Sequence, residues 1–128
     1  MEQAVEVFAA IHCLVIGVSH VAQPLAWAEF FIWLRGKGTV GVFVNGFLSL
    51  GFGSVIVAFH NVWAGLPVVL TVLGWAQVLK GVLSFTAPQI AMKSFNRVSP
   101  ERSREFVWAG VVLLALSGLF WYVTFSSR

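Results

Sequence analysis

Charge is what this chain has least of. Only 10% of its 128 residues are charged, where a soluble domain carries roughly a quarter. The deficit runs along most of the chain, which excludes a water-soluble domain with one buried helix and implies several membrane spans. Cysteine is almost missing too. The single Cys13 lies inside an apolar run, so no intrachain disulfide and no cysteine-based metal site can form. It reads as a small buried hydrophobe. The opening MEQAVEVF holds Glu2 and Glu6 but no lysine or arginine. The basic region of a signal peptide is therefore lacking, and the first apolar run is expected to stay in the mature protein.

Catalytic patterns are lacking as well. No hydroxyl stands with a histidine and a carboxylate in a known motif order, and no glycine-rich phosphate loop precedes a helix. GFLSLGFG is rich in glycine but falls inside a span. The acids are expected to avoid the membrane core, and the chain is not expected to be an enzyme. The net charge of +3 and a pI near 9.6 do not signal nucleic acid. The basic residues cluster in two segments flanking apolar runs, which is how membrane topology is written.

What is present is a mean hydropathy of +0.88 and apolar runs near the length of about 20 residues that a spanning helix needs. They are Val5 to Ala22, Thr39 to Phe59, Leu66 to Ala87 and Phe106 to Phe125. Continuous apolarity without alternation favours helices over barrel strands. The expected fold is therefore all-α, a polytopic membrane protein with four transmembrane helices in one domain. Pro24 should end or kink the first, and Pro67 suits the first turn of the third. Between the first two spans, Trp27, Phe30, Phe31 and Leu34 recur at helical spacing beside Glu29, Arg35 and Lys37. This predicts an interfacial helix; the alternative is one long first helix bent at Pro24. Ser99, Pro100 and Glu101 resemble a helix start.

Orientation follows from the basic residues. Arg35 and Lys37 lie in one loop, and Lys93, Arg97, Arg102 and Arg104 in another. Four spans place both loops on one side, expected to be cytoplasmic, with the termini outside. Trp108, Trp121 and Tyr122 mark the ends of the last span.

The short turn FHNVWAG makes the second and third spans antiparallel neighbours. Folding the chain about the middle of that turn sets Asn45 level with Lys80, Gly51 level with Gly74 and Ser49 near Gln77. Small residues let apolar helices approach in lipid. Gly46, Ser49 and Gly53 form one such stripe, and Thr71, Gly74, Gly81 and Ser84, with Gln77 or Val78, form the other. Polar side chains are expected to bond across this face.

Lys80 falls about two turns inside the span. Its ammonium either snorkels to the headgroups or faces the bundle beside Asn45 as an anion or lipid-headgroup site, the default reading for an intramembrane charge. His12 and His20 share a helix face, and His60 ends the second span. Two histidines on two helices suit haem or a metal, and one could relay protons. No closely spaced ligand pair is present and His20 belongs to the end opposite His60, so no cofactor or metal is expected. Asn61 is expected to adopt the left-handed conformation and satisfy carbonyls freed at the helix end. Trp63 should anchor the turn at the headgroups, and His60 should bond a backbone group or the first helix near Glu6.

HNVWAGLPVVLTVLGWAQVLKG resembles a group of small bacterial inner-membrane proteins. In these a HN-x-W turn leads into a span carrying T-x-x-G-W and K-G. The matching positions are His60, Asn61, Trp63, Thr71, Gly74, Trp75, Lys80 and Gly81. The resemblance implies a bacterial inner membrane and a shared hairpin over the second and third spans, and no activity. Three functions stay open. The first, preferred, is a non-enzymatic subunit that self-associates or joins other membrane subunits. The second is a small oligomeric transporter or channel using Lys80, Asn45, Gln77 and His60. The third is a haem or quinone redox subunit.

Overall fold

The computed structural model describes residues 1–126. It contains six α-helices and one short 3-10 turn, and no strand occurs among the described residues. The helices are α1 (Glu2–Ala22), α2 (Pro24–Gly36), α3 (Thr39–Phe59), α4 (Val68–Thr86), α5 (Pro88–Asn96) and α6 (Arg104–Ser126). Four of them, α1, α3, α4 and α6 with the 3-10 turn before it, are long and apolar enough to cross a membrane. Their outer faces carry exposed Leu14, Val18, Phe47, Val72, Leu79 and Val112, which suits lipid and not water. The protein is an all-α, polytopic membrane protein.

Local chemistry sets the breaks. Gln23 leaves helical geometry at φ −131°, ψ 52°, because Pro24 crowds the residue before it and has no N–H to continue the ladder. The result is two helices, α1 and α2, and not one bent helix. Gly38 takes φ +61° and ψ −136°, a conformation reserved for glycine, and turns α2 into α3. Pro88 starts α5 after the non-helical Ala87. Ser99 and Pro100 start only the 3-10 turn Pro100–Arg102, without a side-chain cap bond, and α6 begins afterwards.

The spans form two pairs, α1 with α6 and α3 with α4. In the first pair the glycines allow close approach. A Cβ added to Gly17 would stand 3.1 Å from the Gly110 carbonyl oxygen, and one added to Gly110 would stand 2.7 Å from that of Gly17. Ser117 Oγ donates to the Ala10 carbonyl at 2.8 Å. In the second pair a Cβ on Gly53 would stand 2.7 Å from the Gly74 carbonyl oxygen, and one on Gly81 would stand 2.7 Å from Leu50 Cβ.

The α3–α4 register differs from the sequence expectation. Gly74 faces Ile56, not Gly51, a displacement of about five residues along α3 (56 − 51), and Gly51 has open space around it. Gly46 opposes Ser84, so Asn45 is not level with Lys80, which belongs near Leu50. The cause is the connection. Thr71 Oγ1, in the first turn of α4, accepts from Val62 N–H at 3.0 Å and lies 3.2 Å from His60 Nδ1, just past the end of α3. The end of α3 therefore stands level with Thr71, the first turn of α4 projects beyond it, and the fold axis leaves the middle of the turn.

The two pairs meet at both ends. Toward the α3–α4 turn, Val5, Ala9, Cys13, Ile56, Leu70 and Phe120 form one core. At the far end, Leu34 of α2, Val42 of α3 and Phe95 of α5 form another. Arg35 adds hydrogen bonds to the carbonyls of Phe95 and Val98, at 3.2 and 3.0 Å, so the two basic segments lie together. His20 stacks on Trp27 with ring centroids 4.1 Å apart.

Candidate functional site

At the α3–α4 end a polar junction is buried between all four spans. His60, fully buried, places Nε2 3.2 Å from Glu6 Oε1 of α1. Its Nδ1 lies 3.2 Å from Thr71 Oγ1 of α4. Thr124 of α6 divides its hydroxyl proton between the Phe120 carbonyl at 2.9 Å and Glu6 Oε2 at 3.4 Å. Gln3 donates to the Thr124 carbonyl at 3.3 Å. Glu6 is 6% exposed, buried in the bundle near the end of its span rather than at mid-membrane depth. A carboxyl is tolerated there because it finds a histidine and a hydroxyl.

The Thr71 hydroxyl has one hydrogen to share between the Val62 carbonyl at 2.8 Å and His60 Nδ1 at 3.2 Å, and its oxygen accepts from Val62 N–H. The imidazole thus has a polar neighbour on each ring nitrogen, Thr71 at Nδ1 and Glu6 at Nε2. Thr71, His60 and Glu6 line up as a hydroxyl, an imidazole and a carboxyl, all buried, and they tie α4, the end of α3 and α1 together.

Asn61 does not act as a left-handed cap. No residue other than glycine has a positive φ among the described residues, and the turn's positive φ belongs to Gly65 at 70°. Asn61 Oδ1 instead accepts from two indoles, Trp63 Nε1 at 2.9 Å and Trp75 Nε1 at 3.3 Å. The glycine two residues after Trp63 relieves Asn61 of the conformational task, since glycine reaches positive φ at no steric cost.

The other polar residues divide between two cavities. Lys80, Asn45, Ser84 and Ser94 line one of about 460 Å³, walled by Phe31, Leu83, Ile90, Phe95 and Phe106 among others. Asn45 is 8% exposed. Neither Asn45 nor Lys80 has a side-chain hydrogen bond or ion pair among the described residues, and Ser84 Oγ donates to the Lys80 carbonyl at 2.9 Å. Ser49 and Gln77 line a second cavity of about 230 Å³ with His12, Cys13 and Phe52. Hydrogen bonds between α3 and α4 side chains along the helix face, expected from the sequence, do not form; the cross-hairpin bonds gather at the turn. His12 and His20 bond their own helix carbonyls, Phe8 at 2.9 Å and Ile16 at 2.8 Å. No three of His, Cys, Asp and Glu among the described residues could hold a metal.

Sequence reasoning missed three things. Glu6 as the partner that draws His60 inward was only half seen, Thr124 was not seen, and neither was the α1–α6 interface. A signal for the last was available: Ala9, Ala10, Cys13 and Gly17 are small residues at helical spacing on α1, and Gly110 and Ser117 lie two turns apart on α6. No protein-family model matches the chain, and no curated protein or solved structure matches it either.

Proposed function

We propose that this integral membrane protein is a non-enzymatic subunit that self-associates or joins other subunits of a membrane assembly. The observation that carries this reading is how its polar groups are used. Glu6, His60, Thr71 and Thr124 are turned inward and bonded to one another between helices. Meanwhile Gly51 and Gly118 lie exposed on α3 and α6, where an added Cβ would meet nothing within 4 Å outside its own helix backbone. An uncovered glycine on a lipid-facing helix is where a second helix approaches most closely. In this reading the membrane is a bacterial inner membrane, the basic end is cytoplasmic, both termini are outside, and α2 rests at the interface with exposed Trp33 among the headgroups.

The transport alternative fits less well. Lys80 and Asn45 share one cavity, Gln77 lines another, and His60 is sealed in the junction. The four residues do not border one path through a single chain. Purification in mild detergent with mass measurement tests the proposal. A homo-oligomer, or a complex with a different membrane subunit, is the expected result; a lone monomer at every detergent concentration overturns it.

A further inference from the structure

We infer that the cavity beside Lys80 is a binding site for a phospholipid with an anionic headgroup, its phosphate on the Lys80 ammonium and an acyl chain along the apolar wall. Three observations support the site. Lys80 stands six residues before the end of α4 at Thr86, about 9 Å inside it at 1.5 Å per residue. An ammonium at such depth is costly without a counter-charge, and no carboxylate lines the cavity. Along the same cavity, Asn45, Ser84 and Ser94 supply polar atoms, and the rest of the lining is aliphatic and aromatic. A headgroup and a chain need that combination, whereas a free inorganic anion uses only the first half. Finally, the cavity is lined by Phe31, Ser94 and Val98, next to the segments that carry Arg35, Lys93 and Arg97. Anionic lipids gather beside such clusters, and basic pockets between spans take their headgroups. The rim is formed by α5, whose Ile90, Ala91 and Ser94 close the cavity beyond the end of α4.

The inference does not rest on the subunit reading, since one chain supplies every wall. Its test uses the purified full chain in neutral detergent, titrated with phosphatidylglycerol, phosphatidylcholine or inorganic phosphate. Melting temperature and intact-complex mass are followed. Phosphatidylglycerol is expected to raise the melting temperature and remain bound, with no matching effect from the other two. Lys80→Met keeps the stem and removes the charge; it should weaken phosphatidylglycerol binding about tenfold, the usual loss for one charge-assisted contact. Ala76→Phe, from an exposed position on the cavity wall, keeps the charge and fills the chain slot, and should also weaken binding. Ser54→Ala, at an exposed position of α3 outside the cavity, should leave binding unchanged. Equal binding by wild type and both cavity variants overturns the inference. So does equal stabilisation by phosphatidylcholine or by inorganic phosphate, which would mark a general lipid effect or a soluble-anion site.

Discussion

Glu6 and His60 stand 54 positions apart in the chain and meet at 3.2 Å inside the bundle. The contact joins the first span, α1, to the end of the second, α3. Each group is the other's buried partner, so removing one strands the other in a place closed to water.

Removing either partner should therefore be expensive. Glu6→Ala and His60→Ala should each destabilise by about 3–5 kcal/mol, the cost of breaking a buried pair from one side. Glu6→Gln still offers an N–H to Nε2 and should cost only about 1 kcal/mol. The double variant should lose less than the sum of the singles. Denaturant unfolding in detergent measures all four, and strict additivity would show that the pair is not coupled.

Glycine substitutions separate the observed hairpin register from the symmetric one. Gly74→Leu drives a side chain into Ile56, whose Cγ2 would lie 2.5 Å from an added Cβ, and should cost about 1–3 kcal/mol as overpacking does. Gly51→Leu meets open space and should leave the monomer's melting temperature nearly unchanged. Equal damage from both would restore the symmetric register.

Asn61→Ala removes the acceptor shared by Trp63 and Trp75. A loss of about 1 kcal/mol is expected, together with a shift in tryptophan emission as the two indoles lose a fixed partner. Unchanged emission would mean that the indoles are held elsewhere.

Topology is open to labelling. With Cys13→Ala as background, Asn61→Cys and Ser94→Cys should react with an impermeant thiol reagent from opposite faces of the membrane. Reaction of both from one face would break the four-span arrangement.

The four spans were readable because apolar runs show in any window of the sequence, and the break at Pro24 because proline acts on its own neighbours. Helix α5 was not, since by sequence Pro88–Asn96 reads only as part of a basic loop. The hairpin register was not readable from residue counting, because it is set by Thr71 of α4 bonding both His60 and Val62 just past the end of α3. Asn61 was misread for a similar reason. Its partner Trp75 is fourteen residues away, and the turn's left-handed position went to Gly65. The proximity of His60 to Glu6 was legible from depth alone, since both lie near the same end of their spans. Thr124 joins them through α6; the small residues of α1 and α6 mark two packing faces, but nothing local to either face names the other as its partner.

The pairing of α1 with α6 also governs the order in which the chain can assemble. The α3–α4 hairpin is local and can close once its second helix is made. The contact of Ser117 with Ala10 spans 107 positions, so α1 waits in the bilayer through the synthesis of the four intervening helices, α2 to α5. Long-range closures of this kind are the slow steps of folding. Throughout that interval Glu6 lacks Thr124, and the small-residue groove of α1 is open to lipid. The last span is thus the clasp of the bundle, and an interrupted synthesis leaves a carboxyl and an unfilled groove exposed for membrane quality control to detect.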